Sequence, residues 1–173
     1  SFIDYSGYAD SRHLNASNLD KFDYFVSKLK EHGIYSNINL LAGRDFKSAD
    51  GLPASIDSMA WKDKQTPAMF SPAMLDLQKE FALNMLDRVN PYTGLKYTQD
   101  PSVVFVEVCN EHGLIHAWHN AQIDVLPAEF EAQLQGMWDA YLTDKYPSFA
   151  ALQGAWGMSA PLGNEKLLNG DFA

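Results

Sequence analysis

Apolar residues recur at Leu19, Phe22, Phe25, Val26 and Leu29. That spacing predicts an amphipathic helix, with Asn18 placed to cap it and Gly33 to end it. Residues 34–41 then alternate apolar with polar positions and read as a strand, whose Asn37 and Asn39 point toward a barrel interior or a cleft. Periodicity is lost from about 42 to 71, where Gly43, Gly51, Pro53 and Pro67 punctuate the chain. Structureless loops of that length are uncommon in compact domains, so a lid, a binding loop or a disordered stretch is expected. Ser71-Pro72 opens a second helix with proline in its first turn, and Leu77, Phe81, Ala82, Met85, Leu86 and Val89 form its apolar face. Residues 90–94, Asn-Pro-Tyr-Thr-Gly, are a turn.

The next run, Val103-Val104-Phe105-Val106-Glu107-Val108-Cys109, is apolar and rich in β-branched residues, and Asp100-Pro101-Ser102 introduces it. It reads as a strand buried on both faces, as in a parallel sheet. The order helix, strand, helix, strand implies βαβ wiring and an α/β fold. Strands 34–40 and 103–109 are therefore expected to be adjacent and parallel, with helix 73–89 crossing between them. Beyond Glu111 the pattern is helical again. Pro127 starts a helix with Phe130, Leu134, Met137, Trp138, Tyr141 and Leu142 on one side, and a shorter helix covers 148–156. Trp138 and Trp156 sit at helical spacing and are expected in the core. The tail, 158–173, is irregular, and no repeat, charge block or second domain is evident.

Composition narrows the function classes. With 173 residues, 46% hydrophobic and 20% charged, the chain can bury one sizeable core. A net charge of −9 argues against nucleic acid or an anionic membrane as partner. No apolar run reaches the roughly 18 residues that indicate a span. A single cysteine, Cys109, excludes an intrachain disulfide framework, and its place in the apolar strand predicts a buried, inert thiol. No leader peptide is visible, yet the chain opens at Ser1 rather than Met, which leaves processing or truncation open. Asn15-Ala16-Ser17 is a formal glycosylation sequon, of meaning only in a secreted eukaryotic protein. Aromatic residues make up 13%, which fits sugar-stacking platforms and large cores alike.

The candidate chemistry sits where the second strand ends. Asn110-Glu111 is a polar pair at the carboxyl end of a parallel strand, the place where α/β enzymes put reacting groups. Taken alone, the pair reads equally as a helix cap or a solvated loop. His112, His116 and His119 follow at helical spacing. No HExxH or CxxC frame accompanies them, so sugar hydrogen bonding or loop solvation fits better than a metal. Trp118 is placed to stack on a sugar or to pack under the loop, and Trp61 and Phe70 are weaker candidates of the same kind. Arg44 and Asp45 follow the first strand, where Arg44 is a substrate-binding candidate and a local salt bridge the plainer alternative.

Longer stretches carry a resemblance. "LDKFDYFVSKLKEHGIYSNINL" (19–40) and "LQKEFALNMLDRVNPYTGLKYTQDPSVVFVEVCNEHGL" (77–114) resemble the helices and the third and fourth strands of retaining glycoside hydrolases of the (β/α)8-barrel clan, family 5-like cellulases among them. "WDAYLTDKYPSFAALQGAWG" (138–157) is similar to a segment of the clan's β-galactosidases. The resemblance implies a TIM-barrel segment acting on β-linked glycans or β-galactosides without cofactor or metal. Glu111 matches the general acid/base, and Asn110 the residue that binds the 2-hydroxyl of the sugar being cleaved. His112, Trp118 and Arg44 would add substrate contacts. An extracellular or cell-envelope setting would suit such substrates.

The retaining mechanism also needs a nucleophilic carboxylate about 5–5.5 Å from the acid/base. In the clan it ends the seventh strand, and here no strand ending in Glu follows Glu111. A whole barrel takes about 250 residues. The chain is therefore expected to be a segment of a larger glycosidase, or one chain of a barrel assembled from several. A non-catalytic carbohydrate-binding or scaffold domain derived from such a barrel is the other class.

Overall fold

Helix α1 (Ala16–Glu31) starts a turn earlier than its apolar spacing indicates. Asn15, not Asn18, caps it, and the Asn15 Oδ1 accepts the Asn18 backbone N–H at 3.0 Å. At its other end Gly33 takes a φ of +71°. The Gly33 and Ile34 N–H groups then donate back to the Lys30 and Leu29 carbonyls, each at 2.9 Å, which satisfies carbonyls that the helix leaves open. The chain emerges as strand β1 (Ser36–Asn39). In the computed structural model, which describes residues 7–157, the chain divides into two compact units, Ser1–Leu134 and Gln135–Ala173. The irregular tail expected at 158–173 lies outside the described residues.

Helix α2 (Pro72–Leu86) separates β1 from strand β2 (Val103–Glu107), and the two strands pair in parallel. Asn37 stands opposite Phe105, Ile38 opposite Val106 and Asn39 opposite Glu107, with an irregularity between Ser36 and Asn37. The expected parallel adjacency is present, in a mixed α/β unit with a small sheet. Both strands are shorter than their apolar runs, although backbone bonds continue the pairing. Leu40 N donates to Glu107 O at 2.9 Å, and Asn110 N to Leu41 O at 3.0 Å.

Two expectations fail on β2. The strand is not buried on both faces: Phe105 is 70% exposed, and Val104, Val106 and Val108 are exposed as well. Cys109 is exposed rather than a buried thiol. An apolar run of this kind needs neighbours on both sides and layers on both faces, and among the described residues only β1 pairs with it.

The aperiodic 42–71 stretch is neither a lid nor disordered. It winds through short 3-10 turns at Ser48–Asp50, Ala54–Ser58, Asp63–Gln65 and Pro67–Met69. From it Phe46, Leu52, Ile56, Ala68 and Phe70 join Leu41, Met74, Leu77 and Phe130 in one buried cluster. Phe70 is thus a core residue and not a stacking platform. The buried Lys64 ammonium ties the stretch together by donating to Asp45 Oδ1 at 2.5 Å and to the Phe46 carbonyl at 2.7 Å.

A second interior is polar. Asp23 of α1 is fully buried. Its carboxylate accepts from both terminal nitrogens of Arg88 and from the Tyr97 hydroxyl, while Asn90 Nδ2 donates to the Asp23 carbonyl at 3.0 Å. These bonds fix the 90–94 turn and the approach to β2 against α1. Nearby, Asp100 Oδ1 accepts from the Ser102 backbone at 2.9 Å, the Ser102 hydroxyl at 2.7 Å and Lys30 Nζ at 3.0 Å. Burial pushes the Asp100 pKa upward, but the two Ser102 bonds and Lys30 outweigh it and hold the carboxyl below its ordinary 3.8. A lowered carboxyl pKa stabilises the fold fully above the unfolded value and loses that contribution as pH falls through the folded one. Asp100→Asn is therefore expected to flatten the loss of stability below about pH 4, read as urea midpoints at pH 7 and pH 3.

After β2 come helix α3 (Leu114–His119) and helix α4 (Ala128–Lys145), whose Phe130 belongs to the buried cluster of the first unit. In the second unit, helix α5 (Phe149–Ala155) is capped by the Ser148 hydroxyl, which accepts from Ala151 N at 3.2 Å. Trp138 lies 5.6 Å from Tyr141 and 6.3 Å from Trp156, ring centre to ring centre. Trp156 Nε1 donates to the Tyr146 hydroxyl at 3.2 Å. Both indoles are nonetheless about half exposed, so they form a surface aromatic cluster and not the expected core.

Candidate active-site loop beyond β2

The register places Asn37, Asn39, Phe105 and Glu107 on one face of the sheet. Asn39 Nδ2 donates to Glu107 Oε2 at 2.8 Å, so the polar alternation of β1 finds a polar partner on β2. The Asn39–Glu107 pair was visible only in part from the sequence, as alternation without a partner. Beyond it, the bond from Asn110 N to the Leu41 carbonyl brings Asn110 to the carboxyl ends of both strands.

Glu111 then takes a φ of +56°, in the left-handed region. A side chain there costs about 1–2 kcal/mol relative to glycine, and such residues concentrate where a side chain has work to do. The Glu111 side chain is exposed. Glu111→Gly is expected to leave stability unchanged or raise it by up to about 1 kcal/mol, relief of strain being offset by the freer unfolded chain. A urea melt reads this directly. A clear loss of stability would show that the Glu111 side chain is a structural support.

His112 is half-buried, and both its ring nitrogens are enclosed without a hydrogen-bond partner. Burial pulls its pKa below the ordinary histidine range; the Glu111 charge opposes this and His116 reinforces it. The residues around it line a small pocket: Gln65, Thr66 and Met69 from the 42–71 stretch, Glu111 and His112 from the loop, and His116 and Gln122 from α3 and its end. Gln65 Nε2 donates to the Ala42 carbonyl at 2.9 Å, and Gln122 Nε2 to Asp63 Oδ1 at 3.3 Å. Gln65, Thr66 and Gln122 escaped the sequence reading because they stand far from Glu111 along the chain and belong to no motif. Among the described residues, no cluster of three or more acidic, histidine or cysteine side chains is arranged to hold a metal.

The remaining candidates fall in different places. Arg44 is buried, 3% exposed, and turned into the core. Its guanidinium donates to the Leu77 carbonyl at 3.2 Å and the Ser11 carbonyl at 2.5 Å, and lies 4.3 Å from the centre of the Phe81 ring. In that position it clamps the fold, and the expected substrate contact has no free face to use. Trp118 is 67% exposed on α3, so it does not pack beneath the loop. Trp61 lies over Gly43, where an added Cβ would come within 2.4 Å of the ring. Its other neighbour is the Lys62 ammonium, 5.7 Å from the ring centre.

The chain matches no family model, no curated protein and no solved structure.

Proposed function

We propose that this chain supplies the acid/base half of a retaining β-glycosidase, as a segment of a (β/α)8 barrel whose nucleophile comes from outside it. The observation that carries the reading is the placement of Glu111. It follows the second strand of a parallel β1–α2–β2 unit, beside an Asn110 tied to the end of β1, in a backbone conformation that favours glycine.

In the first step Glu111 gives its proton to the leaving glycosidic oxygen while the nucleophile attacks the anomeric carbon. In the second, Glu111 takes a proton from the water that releases the sugar. The Asn110 amide donates to the sugar 2-hydroxyl, a bond that tightens as charge develops at the ring. His112 and the exposed Trp118 ring extend the contact surface for the carbohydrate.

Exposed Phe105 and Trp118 also favour a second reading, a non-catalytic carbohydrate-binding domain that offers flat rings to sugar faces. Reducing-sugar release from β-glucans, β-mannans and β-galactosides, measured in a protein that joins this chain to the segment supplying the nucleophile, separates the two. Release that disappears in Glu111→Gln supports the glycosidase. Retention of these glycans on the protein with no release supports the binding domain.

A further inference from the structure

A chain of hydrogen bonds crosses from β2 to β1 and back, and it ends at Asn110. Glu107 Oε2 accepts from Asn39 Nδ2 at 2.8 Å, Asn39 Oδ1 accepts the Leu41 N–H at 3.1 Å, and the Leu41 carbonyl accepts the Asn110 N–H at 3.0 Å. The first link joins residues that stand opposite each other in the sheet. The second turns the backbone at the end of β1 and leaves the Leu41 carbonyl to Asn110. An ionised carboxylate only accepts and a backbone N–H only donates, so the side chain between them must do both, as a carboxamide does. An apolar residue at 39 would break both links, and an aspartate would break the one to Glu107. Helices α1 and α2 cover the opposite side of the sheet, where Phe22, Val26 and Leu86 cluster with Ile38. The Asn39–Glu107 pair therefore lies on the face that a barrel would turn toward its axis.

We propose that Asn39 and Glu107 are the positioning residues for Asn110, and that through it they set how strongly the site depends on the sugar 2-hydroxyl. This rests on the glycosidase reading, in which the Asn110 amide meets that hydroxyl. Neither residue needs to touch the substrate. Glu107 holds the Asn39 amide in the orientation that presents Oδ1 to Leu41. Asn39 in turn fixes the Leu41 carbonyl, to which the Asn110 backbone is tied. A bond that tightens in the transition state tolerates little displacement of its donor. Loss of either link should therefore weaken the 2-hydroxyl contact while the fold stays intact, because the backbone pairing of β1 with β2 does not use these side chains.

The first test needs no catalysis. Amide hydrogen exchange is followed by NMR in the 173-residue chain. Asn39→Ala removes the acceptor of the Leu41 N–H and should speed its exchange about tenfold. Exchange at Asn110 should rise with it, while the Leu40 N–H, bonded to the Glu107 carbonyl, stays as protected as in wild type. Unchanged exchange at Asn110, or an equal rise at Leu40, overturns the proposal. The second test uses the complete, nucleophile-containing protein and two aryl glycosides of the same acidic phenol, one with the 2-hydroxyl and one 2-deoxy. The activated leaving group needs little help from Glu111, so the ratio of the two kcat/KM values reports the contact made by Asn110. Asn39→Ala should lower kcat/KM about tenfold on the first and less than about twofold on the second. Asn39→Asp should do the same, because two carboxylates then face each other. Adding Glu107→Gln should restore most of that loss: the new amide donates to one aspartate oxygen, and the other accepts the Leu41 N–H. Equal losses on the two glycosides, or no recovery in the double variant, overturn the proposal. Full activity of Glu111→Gln on glycosides with a sugar leaving group would instead remove the glycosidase reading and leave the exchange result standing.

Discussion

In the complete protein that supplies the nucleophile, replacing Glu111 by Gln is expected to lower turnover about 10²–10⁴-fold on substrates whose leaving group is another sugar; the 173-residue chain alone should hydrolyse neither kind of substrate. Aryl glycosides with acidic phenol leaving groups should lose far less in the first step. A sugar alkoxide is a poor leaving group and needs a positioned proton, whereas an activated phenolate departs without one. The comparison reads the proton donor itself and not binding, because both substrates place the same sugar beside Asn110. With the activated substrate the second step becomes limiting, so the glycosyl-enzyme should accumulate and produce a burst of phenol. Equal losses of kcat/KM, which reports the first step, on both substrates would remove the acid/base assignment and leave Glu111 as a binding residue.

Asp23→Ala is expected to destabilise the first unit by about 3–5 kcal/mol, read as a shift of the urea midpoint. The carboxylate is fully buried, and its removal strands an Arg88 guanidinium and the Tyr97 hydroxyl against a surface that water reaches poorly. The pairing with Asp23 raises the Arg88 pKa, and burial together with the Asp23 bond raises that of Tyr97. The contrast is the exposed Asp76–Lys79 pair, 2.8 Å apart on α2. Exposed pairs of this kind contribute about 0–1 kcal/mol, so Asp76→Ala should barely move the midpoint. A cycle with Arg88→Met isolates the ionic part. If Asp23→Ala and Asp76→Ala cost the same, the 90–94 turn and the approach to β2 are held by something other than this network.

Much of the fold was legible because it follows local rules. The apolar periodicity of α1, α2 and the start of α4 needs no knowledge of neighbours, and neither does the Schellman-type stop at Gly33. Parallel pairing of β1 with β2 followed from the order of elements alone. What was misread depends on contacts between distant residues. An apolar run such as 103–109 states that a strand tolerates cover, not that cover is present, so its burial was overestimated, and Cys109 with it. Phe46, Leu52, Ile56 and Phe70 carry no period, so the chain between β1 and α2 looked like a lid although it holds the largest buried cluster. Arg44 looked like a cleft residue because it follows a strand end. Its donors instead meet carbonyls of Leu77 and Ser11, which no spacing rule connects to it.

The site divides in the same way. Asn110-Glu111 was found from the end of an apolar run, a signal within one stretch of chain. The lining contributed by Gln65, Thr66 and Gln122 and the enclosure of His112 depend on how the 42–71 stretch folds back on the loop, and no local pattern encodes that. A pattern within one stretch of chain can thus nominate a carboxyl but carries no information on its surroundings.

The most direct measurement is the fate of azide in Glu111→Ala of the complete, nucleophile-containing protein, supplied with an activated aryl β-glycoside. If Glu111 is the acid/base of a retaining glycosidase, the glycosyl-enzyme still forms but waits for water that nothing deprotonates. Azide needs no base, so it should attack the anomeric carbon, displace the enzyme carboxylate, restore turnover and yield the β-glycosyl azide, identified by the anomeric coupling in its proton NMR spectrum. No acceleration by azide, or an α-configured azide, would contradict the account.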